Sequence, residues 1–308
     1  MRGRTFLLAV IGAASAVGVV VLVHRTGTGA MQAAASPNWL MLAAGFAICL
    51  AIQPLRALAW SSTVRSPVGF RAVYTASSVG SFLDTVLPGR LGEASKVAVL
   101  KVASGNRWPG FSRAGGSLLC AHLLEMIAFA LVGAASAFFL PVPSWARWTA
   151  VIGLVAAAAG LALTGACHGR IARRLPRFGA FLRGAAAPRG VLLRAGAILL
   201  VTWIARWFGV LFLLHAVGVK LGVGSALLYM VVTGLANTAP VLPGNVGIYQ
   251  GAAVGALAMA GHSGAHAVAA SVFTPVVISL ATATGALVGL ALYGRRFGAI
   301  SRAALVRT

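Results

Sequence analysis

Acidic residues are almost absent from this chain of 308 residues, which contains only Asp84, Glu93 and Glu125 beside 25 lysines and arginines. Charged residues of both signs make up 9% of the sequence, whereas soluble domains carry about a quarter. Hydrophobic residues make up 59%, and the mean hydropathy is +0.93. Because no soluble core can bury that much apolar surface, the composition predicts an all-α, polytopic integral membrane protein.

The scarcity of acids and cysteines also leaves little material for a catalytic or metal centre. Cys49, Cys120 and Cys167 each lie in an apolar run, and none has the CxxC spacing of a zinc or redox site. His122 and Glu125 form an H-x-x-E pair, but no second histidine or carboxylate cluster accompanies it. The sequence therefore predicts no catalytic residues, no metal and no cofactor.

Six apolar runs are long enough to cross a bilayer, which takes about 20 residues. They cover residues 6–23, 38–60, 114–140, 146–167, 195–217 and 266–293. The first run resembles a signal peptide, but its apolar core is longer than a usual h-region, which favours a retained helix. Two further regions, 70–104 and 225–262, are apolar but interrupted. We therefore expect six full-length transmembrane helices and two broken or re-entrant helical hairpins in a single membrane domain, 1–308.

The interruption is repeated: Val-Leu-Pro-Gly-Arg-Leu-Gly at 86–92 recurs as Val-Leu-Pro-Gly-Asn-Val-Gly at 241–247. Proline removes a backbone donor and glycine permits unusual dihedral angles, so each copy should break a helix. This predicts a pseudo-inverted repeat with halves of approximately 1–167 and 195–308, joined by the basic loop 168–194. Broken helices at matching places in two halves are typical of a transporter's substrate site. The alternative is a chance match, or simple helix termination, in a sequence rich in small apolar residues.

The net charge of +22 indicates orientation rather than nucleic-acid binding. With both termini in the cytoplasm, most lysines and arginines, including those of the 168–194 loop, lie on the cytoplasmic side, as the positive-inside rule requires. A basic face of this kind attracts anionic lipid headgroups. We expect a multi-pass protein of the plasma (cytoplasmic) membrane with no nucleic-acid partner. In this topology the two hairpins open to opposite sides, an arrangement suited to alternating access.

Polar residues precede each break at the same helical spacing. Residues at i, i+4 and i+7 share one helix face, and two such sets are present: Ser77, Ser81 and Asp84, then Thr233, Asn237 and Pro240. After each break the helix restarts with first-turn N–H groups that lack helical partners. Its positive end therefore suits a phosphate or a carboxylate, such as that of a lipid headgroup.

Glu125 and Arg206 are charges inside apolar runs. A charge at a helix centre costs about 2.5 to 3.5 kcal/mol even on a lenient insertion scale, so Glu125 needs a partner or a role. His122 lies one helical turn away, and Arg90 and Arg206 are the other candidate partners. Arg206 could instead hold a phosphate. Arg56 has a simpler explanation, because its side chain could extend to the cytoplasmic interface.

Simpler alternatives also exist for the other two acids. Glu93 could be a first-turn acid that interacts favourably with the helix dipole and pairs with Lys96. Asp84 could be a hydrogen-bonding residue before a turn rather than a ligand.

Three features together resemble the flippase-like membrane domain of lysylphosphatidylglycerol synthases and their stand-alone relatives: the segment Asp-Thr-Val-Leu-Pro-Gly-Arg-Leu-Gly-Glu at 84–93, the acid Glu125, and the second motif at 241–250. The family's Pro-x-Arg-x-Gly-Glu and Pro-Gly-x-x-Gly motifs match Pro88, Arg90, Gly92 and Glu93, and Pro243, Gly244 and Gly247. Gln250 stands where the family commonly has an acid, and Asp84 where it often has Asn. We expect this chain to lack the soluble aminoacyl-transfer domain, and so not to transfer lysine to lipid.

The resemblance implies a lipid flippase-like transporter that moves a phospholipid, an aminoacylated lipid or a polyprenyl-phosphate-linked lipid across the bilayer. The alternative is an integral-membrane enzyme, or an accessory subunit, of lipid or polyprenyl-linked glycan synthesis. The expected partners are an anionic or polyprenyl lipid substrate, the bilayer lipids, and a second copy of the chain or a synthase. The candidate substrate-binding residues are Asp84, Pro88, Arg90, Glu93, Glu125, Arg206, Asn237, Pro243, Gly244, Asn245 and Gln250.

The orientation of the 168–194 loop can be tested directly. We expect a single cysteine introduced there to resist a membrane-impermeant maleimide in intact cells, because the positive-inside rule places the loop in the cytoplasm. The same cysteine should react once the cells are permeabilised. Labelling is measured by gel shift in a variant without the native cysteines, and reaction in intact cells would show the opposite orientation.

Overall fold

The structure, a computed structural model, describes residues 36–64, 66–86, 91–139, 144, 148, 151–163, 176–237 and 247–305. Within these ranges the chain is helical and contains no strand. The helices in chain order are α1 (Trp39–Val64), α2 (Phe70–Val86), α3 (Leu91–Ser104), α4 (Phe111–Phe139), α5 (Val151–Leu163), α6 (Pro176–Ala185), α7 (Arg189–Ala216), α8 (Val223–Ala236), α9 (Ile248–Met259) and α10 (Ala265–Leu305). The expected all-α class is confirmed for these residues.

Four helical stretches are long and apolar enough to cross a membrane: Trp39–Val64, Phe111–Ala135, Arg189–Ala216 and Ala265–Tyr293. They match four of the six predicted apolar runs. The predicted run 6–23 lies outside the described residues, and the run 146–167 contains the shorter helix α5. The chain is therefore a multi-pass membrane protein, with four full-length spans among the residues that the structure describes.

Each predicted broken region contains two short helices, α2 and α3 in the first and α8 and α9 in the second. They have 17, 14, 14 and 12 residues, fewer than the roughly 20 that one crossing takes. Residues 87–90 and 238–246, which contain most of each repeated motif, lie outside the described residues. Short helices on both sides of each motif fit the expectation of broken hairpins.

The chain divides into two compact units. The first unit draws on residues up to Cys49, on Leu83–Leu91 and on Ala205–Ala281, and the second on Leu50–Phe82, Gly92–Ile204 and the residues from Thr282 onward. Helices α1, α2, α3, α7 and α10 each contribute residues to both units. Both units combine residues from the two halves of the sequence, and the half-repeat arrangement stays a prediction.

Small residues and interhelical hydrogen bonds hold the second unit together. Its buried positions include many alanines, which allow helices to approach closely within a membrane. The Trp60 indole donates to the Ser117 hydroxyl at 3.2 Å, and the Thr63 hydroxyl donates to the Ser117 carbonyl at 3.1 Å. The Thr75 hydroxyl donates to the Gly289 carbonyl at 2.9 Å. These contacts join α1 to α4 and α2 to α10.

The first unit has a more continuous apolar core around helices α7 to α10. Its fully buried side chains include Tyr229, Leu214 and Leu257. Glycine again permits close packing, because a Cβ at Gly45 would meet the Leu213 side chain at 2.7 Å.

The short amphipathic helix α6 packs against the start of α4 through glycine. Leu182 and Ala185 are buried on one face, whereas Arg183 on the other face is exposed. A Cβ at Gly116 of α4 would collide with the backbone of α6. Glycine is therefore needed at this position because the two backbones touch.

The glycine contact between α4 and α6 makes a stability prediction. We expect Gly116→Ala to destabilise the protein by about 1 to 3 kcal/mol, since the added methyl group must push backbone apart. Gly255→Ala is the matched control, because Gly255 is exposed in α9 and a Cβ there meets nothing within 4 Å. That control should be neutral or slightly stabilising. Both are measured by thermal unfolding in detergent, and equal midpoints for the two variants would contradict the packing.

Candidate functional site

Five ionisable side chains from three helices of the second unit interact through ion pairs and electrostatically, and we call them the ionic cluster. Helices α1, α3 and α4 contribute Arg56, Glu93 and Lys96, and His122 and Glu125, respectively. Arg56, His122 and Glu125 lie within stretches long and apolar enough to span the membrane. Ionisable groups at such positions are costly and usually line functional sites.

Arg56 and Glu125 form the central contact of the ionic cluster. The Arg56 Nη2 atom lies 2.8 Å from Glu125 Oε1 and 2.9 Å from Glu125 Oε2, so one nitrogen contacts both carboxylate oxygens. Both side chains are mostly buried, at 22% and 16% exposure. Arg56 is therefore the partner that Glu125 was expected to need within an apolar helix. The expectation that the Arg56 side chain extends to the cytoplasmic interface is wrong, because its guanidinium contacts the Glu125 carboxylate.

Lys96 and Glu93 form the second ion pair, one turn apart on α3. The Lys96 Nζ atom lies 2.5 Å from Glu93 Oε1, and the lysine side chain is only 5% exposed. Glycine at position 80 of α2 leaves room for this lysine, since a Cβ there would meet the Lys96 side chain and the Gly92 carbonyl. Glu93 lies in the first turn of α3 and pairs with Lys96, as its simpler interpretation expects, and its role as a substrate-binding residue stays a prediction.

His122 interacts with both ion pairs. Its Nδ1 atom is 4.0 Å from Glu125 Oε2, and its side chain is 34% exposed, the most accessible of the cluster. It interacts electrostatically with Glu93, Glu125, Lys96 and Arg56. The histidine is therefore the accessible member whose charge acts on both pairs.

The ionic cluster contains groups that can bind anions and groups that can bind cations. A guanidinium and an ammonium are donors that bind phosphate or carboxylate, and the two carboxylates accept from amines or hydroxyls. With His122 neutral, two cations balance two anions. A ligand that enters the cluster would therefore exchange partners with existing ion pairs and would not meet an isolated charge.

The other described candidates lie in the first unit. Arg206 interacts electrostatically with Cys49 and Tyr249, and the Tyr229 and Tyr249 hydroxyls are 3.3 Å apart in a buried pair. The Gln250 side-chain oxygen accepts from the Gly247 N–H at 2.6 Å and so occupies one donor at the start of α9.

Asp84 and Asn237 lie at the carboxyl ends of α2 and α8. Ser77, Ser81 and Asp84 all belong to α2, so they share a helix face as expected, and both serines are buried. The remaining candidates lie outside the described residues: Pro88, Arg90, Pro243, Gly244 and Asn245.

Three members of the ionic cluster are not among the substrate-binding residues that the sequence indicates: Arg56, Lys96 and His122. A sequence signal for Arg56 did exist, because Arg56 lies in the apolar run 38–60 and Glu125 in the run 114–140. Arg206 lies in a third such run, so the sequence offered two long-range arginine partners for Glu125, and the structure pairs Glu125 with Arg56. Lys96 and His122 could be inferred from helical spacing, because each lies one turn from an acid on the same helix.

The Arg56–Glu125 pair makes a second stability prediction. We expect Glu125→Gln to destabilise the protein by about 3 kcal/mol, because it leaves the arginine charge buried and uncompensated. The double variant Arg56→Met/Glu125→Leu should recover most of this loss, since it removes both charges. Arg189→Gln, at an exposed position, is the control. The measurement is thermal unfolding, and losses that simply add in the double variant would contradict the pairing.

Comparison with known families matches residues 6–297 to a family described as the lysylphosphatidylglycerol synthase TM region. Comparisons with curated proteins and with solved structures find no match. The matched range contains both repeated motifs and all five members of the ionic cluster, and it confirms the family expected from those motifs. The chain thus belongs to the lysylphosphatidylglycerol synthase transmembrane-region family, a family of membrane proteins of lipid metabolism or transport.

Proposed function

We propose that this protein is a lipid flippase-like transporter of the cytoplasmic membrane, in which the ionic cluster receives the headgroup. The observation that carries the proposal is the Arg56–Glu125 pair, which joins two helices long and apolar enough to cross the bilayer. His122 on one of these helices, and Glu93 and Lys96 on the shorter helix α3, complete the cluster. Such charges are kept within membranes mainly where a polar substrate or ion passes. The substrate class is a lipid with a phosphate in its headgroup.

The cluster supports the binding step through exchange of partners. Arg56 can turn from Glu125 to a headgroup phosphate, which forms charge-assisted hydrogen bonds with a guanidinium. His122 remains beside Glu125 when the arginine moves away. The acyl or polyprenyl tails stay in the hydrocarbon region, because burying them in a polar site would lose apolar contact. Arg90 of the first motif is a further phosphate ligand in this proposal.

A role in synthesis is the second candidate, and the description of the family as part of a synthase favours it. In that role the cluster would hold a lipid for a reaction or for a partner enzyme. Its charged groups, however, are paired cation to anion, whereas hydrolytic and transfer enzymes place a nucleophile beside a base. We therefore favour transport.

The transport proposal predicts loss of lipid movement without loss of folding. In liposomes, we expect the wild-type protein to move a fluorescent phosphatidylglycerol between leaflets, measured by dithionite quenching. The double variant Arg56→Met/Glu125→Leu should be stable yet move lipid no faster than empty liposomes, because it lacks both central charges. Arg90→Ala should likewise lose movement, and Arg189→Gln should keep the wild-type rate.

The same assay separates the two candidate functions. A wild-type rate equal to that of empty liposomes, together with chemical turnover of the added lipid, would replace transport by synthesis. Wild-type movement by the double variant would remove the ionic cluster from the transport site.

A further inference from the structure

His122 faces charged groups on every helix that forms the ionic cluster. They are Glu125 on its own helix α4, Glu93 and Lys96 on α3, and Arg56 on α1. The histidine ring is also the most accessible group of the cluster, with about a third of its surface exposed. A proton on this ring would therefore change the charge seen by both ion pairs.

The net charge of the ionic cluster depends on whether a lipid is bound and on whether His122 is protonated. Arg56 and Lys96 balance Glu93 and Glu125, so the empty cluster has no net charge when His122 is neutral, and one positive charge when it is protonated. A phosphodiester headgroup brings one negative charge. Net charge is costly in the low-dielectric interior of a membrane protein. Two states are thus balanced: the empty site with neutral histidine, and the site that holds one phosphodiester and one proton.

We propose that the ionic cluster binds an anionic phosphodiester lipid together with one proton, and that His122 holds this proton. The inference rests on the proposed function, since it assumes that the cluster receives the headgroup. The proton comes from water, forms an N–H bond on the imidazole, and leaves with the lipid. A zwitterionic lipid brings no net charge, so its binding requires no proton.

The lipid and the proton must then change each other's binding affinity by the same factor. If the lipid favours the protonated histidine, protonation favours lipid binding by the same factor. Histidine is the side chain whose ordinary pKa lies between pH 5 and 8, so binding is compared at pH values on both sides of that ordinary pKa. Affinity for the anionic lipid rises as the pH falls, whereas affinity for a zwitterionic lipid stays constant.

Equilibrium binding tests this coupling. The probes are radiolabelled dihexanoyl phosphatidylglycerol and dihexanoyl phosphatidylcholine, with the full-length protein in an uncharged detergent at about pH 5.5 and about pH 8, on either side of the histidine titration. We expect the phosphatidylglycerol affinity to be about 5 to 150 times higher at the lower pH, the usual range for two coupled ligands. The phosphatidylcholine affinity should not change with pH. Excess inorganic phosphate should not displace the lipid, and displacement would assign the site to free phosphate.

Two substitutions assign the effect to His122. His122→Gln, which stays neutral, should keep the weak high-pH affinity for phosphatidylglycerol at both values. His122→Lys, which stays charged, should bind it tightly at both. The control is His266→Gln, an exposed histidine of the first unit, which should keep the wild-type pH dependence.

The outcomes separate this inference from the proposed function. Phosphatidylglycerol binding that is specific to the cluster but independent of pH would overturn the proton coupling and leave the transport site intact. A pH dependence that persists in His122→Gln would place the proton elsewhere and equally overturn it. No saturable binding of either lipid at either pH would instead remove the headgroup site itself, and with it the proposed function.

Discussion

Arg56 and Glu125 are opposite charges placed well inside two apolar helices, and the arrangement of the second unit depends on their meeting. Each alone would cost about 2.5 to 3.5 kcal/mol at a helix centre, even on a lenient insertion scale. Their contact at 2.8 Å compensates both charges. It fixes how α1 and α4 are rotated about their axes, because only one face of each helix can carry the pair. The remaining cluster residues are positioned relative to that contact.

Close backbone approach is the second requirement, and small residues provide it. Within a membrane no hydrophobic force favours contact between helices over contact with lipid, so packing and interhelical hydrogen bonds decide the arrangement. The bond from Trp60 to Ser117 joins the helices that carry Arg56 and Glu125. Gly80 lets α2 approach α3, where a larger residue would displace Lys96. The ionic site and the packing around it are therefore built by the same contacts.

Hydrophobicity predicted four of the spans well, because a run of about 20 apolar residues has few alternatives to crossing a bilayer. The partner of Glu125 was harder to predict. Helices α1 and α4 are apolar on all sides, so their periodicity does not tell which face turns inward. Helical spacing alone predicted only the neighbours of each acid on the same helix, Lys96 for Glu93 and His122 for Glu125. The long-range partner, Arg56, required knowing which helices are adjacent, and that is set by small-residue packing that hydropathy does not record.

A balanced cluster suits transport better than an isolated arginine would. A transport site must bind its substrate well enough to admit it and weakly enough to release it, a requirement that ion pathways also meet. An unpaired buried arginine would hold a phosphate strongly, because release would leave its charge uncompensated. When Arg56 returns to Glu125, release restores an ion pair that already existed. Under the proposed function, the arginine therefore exchanges one charge-assisted contact for another, and release of the headgroup leaves no uncompensated charge.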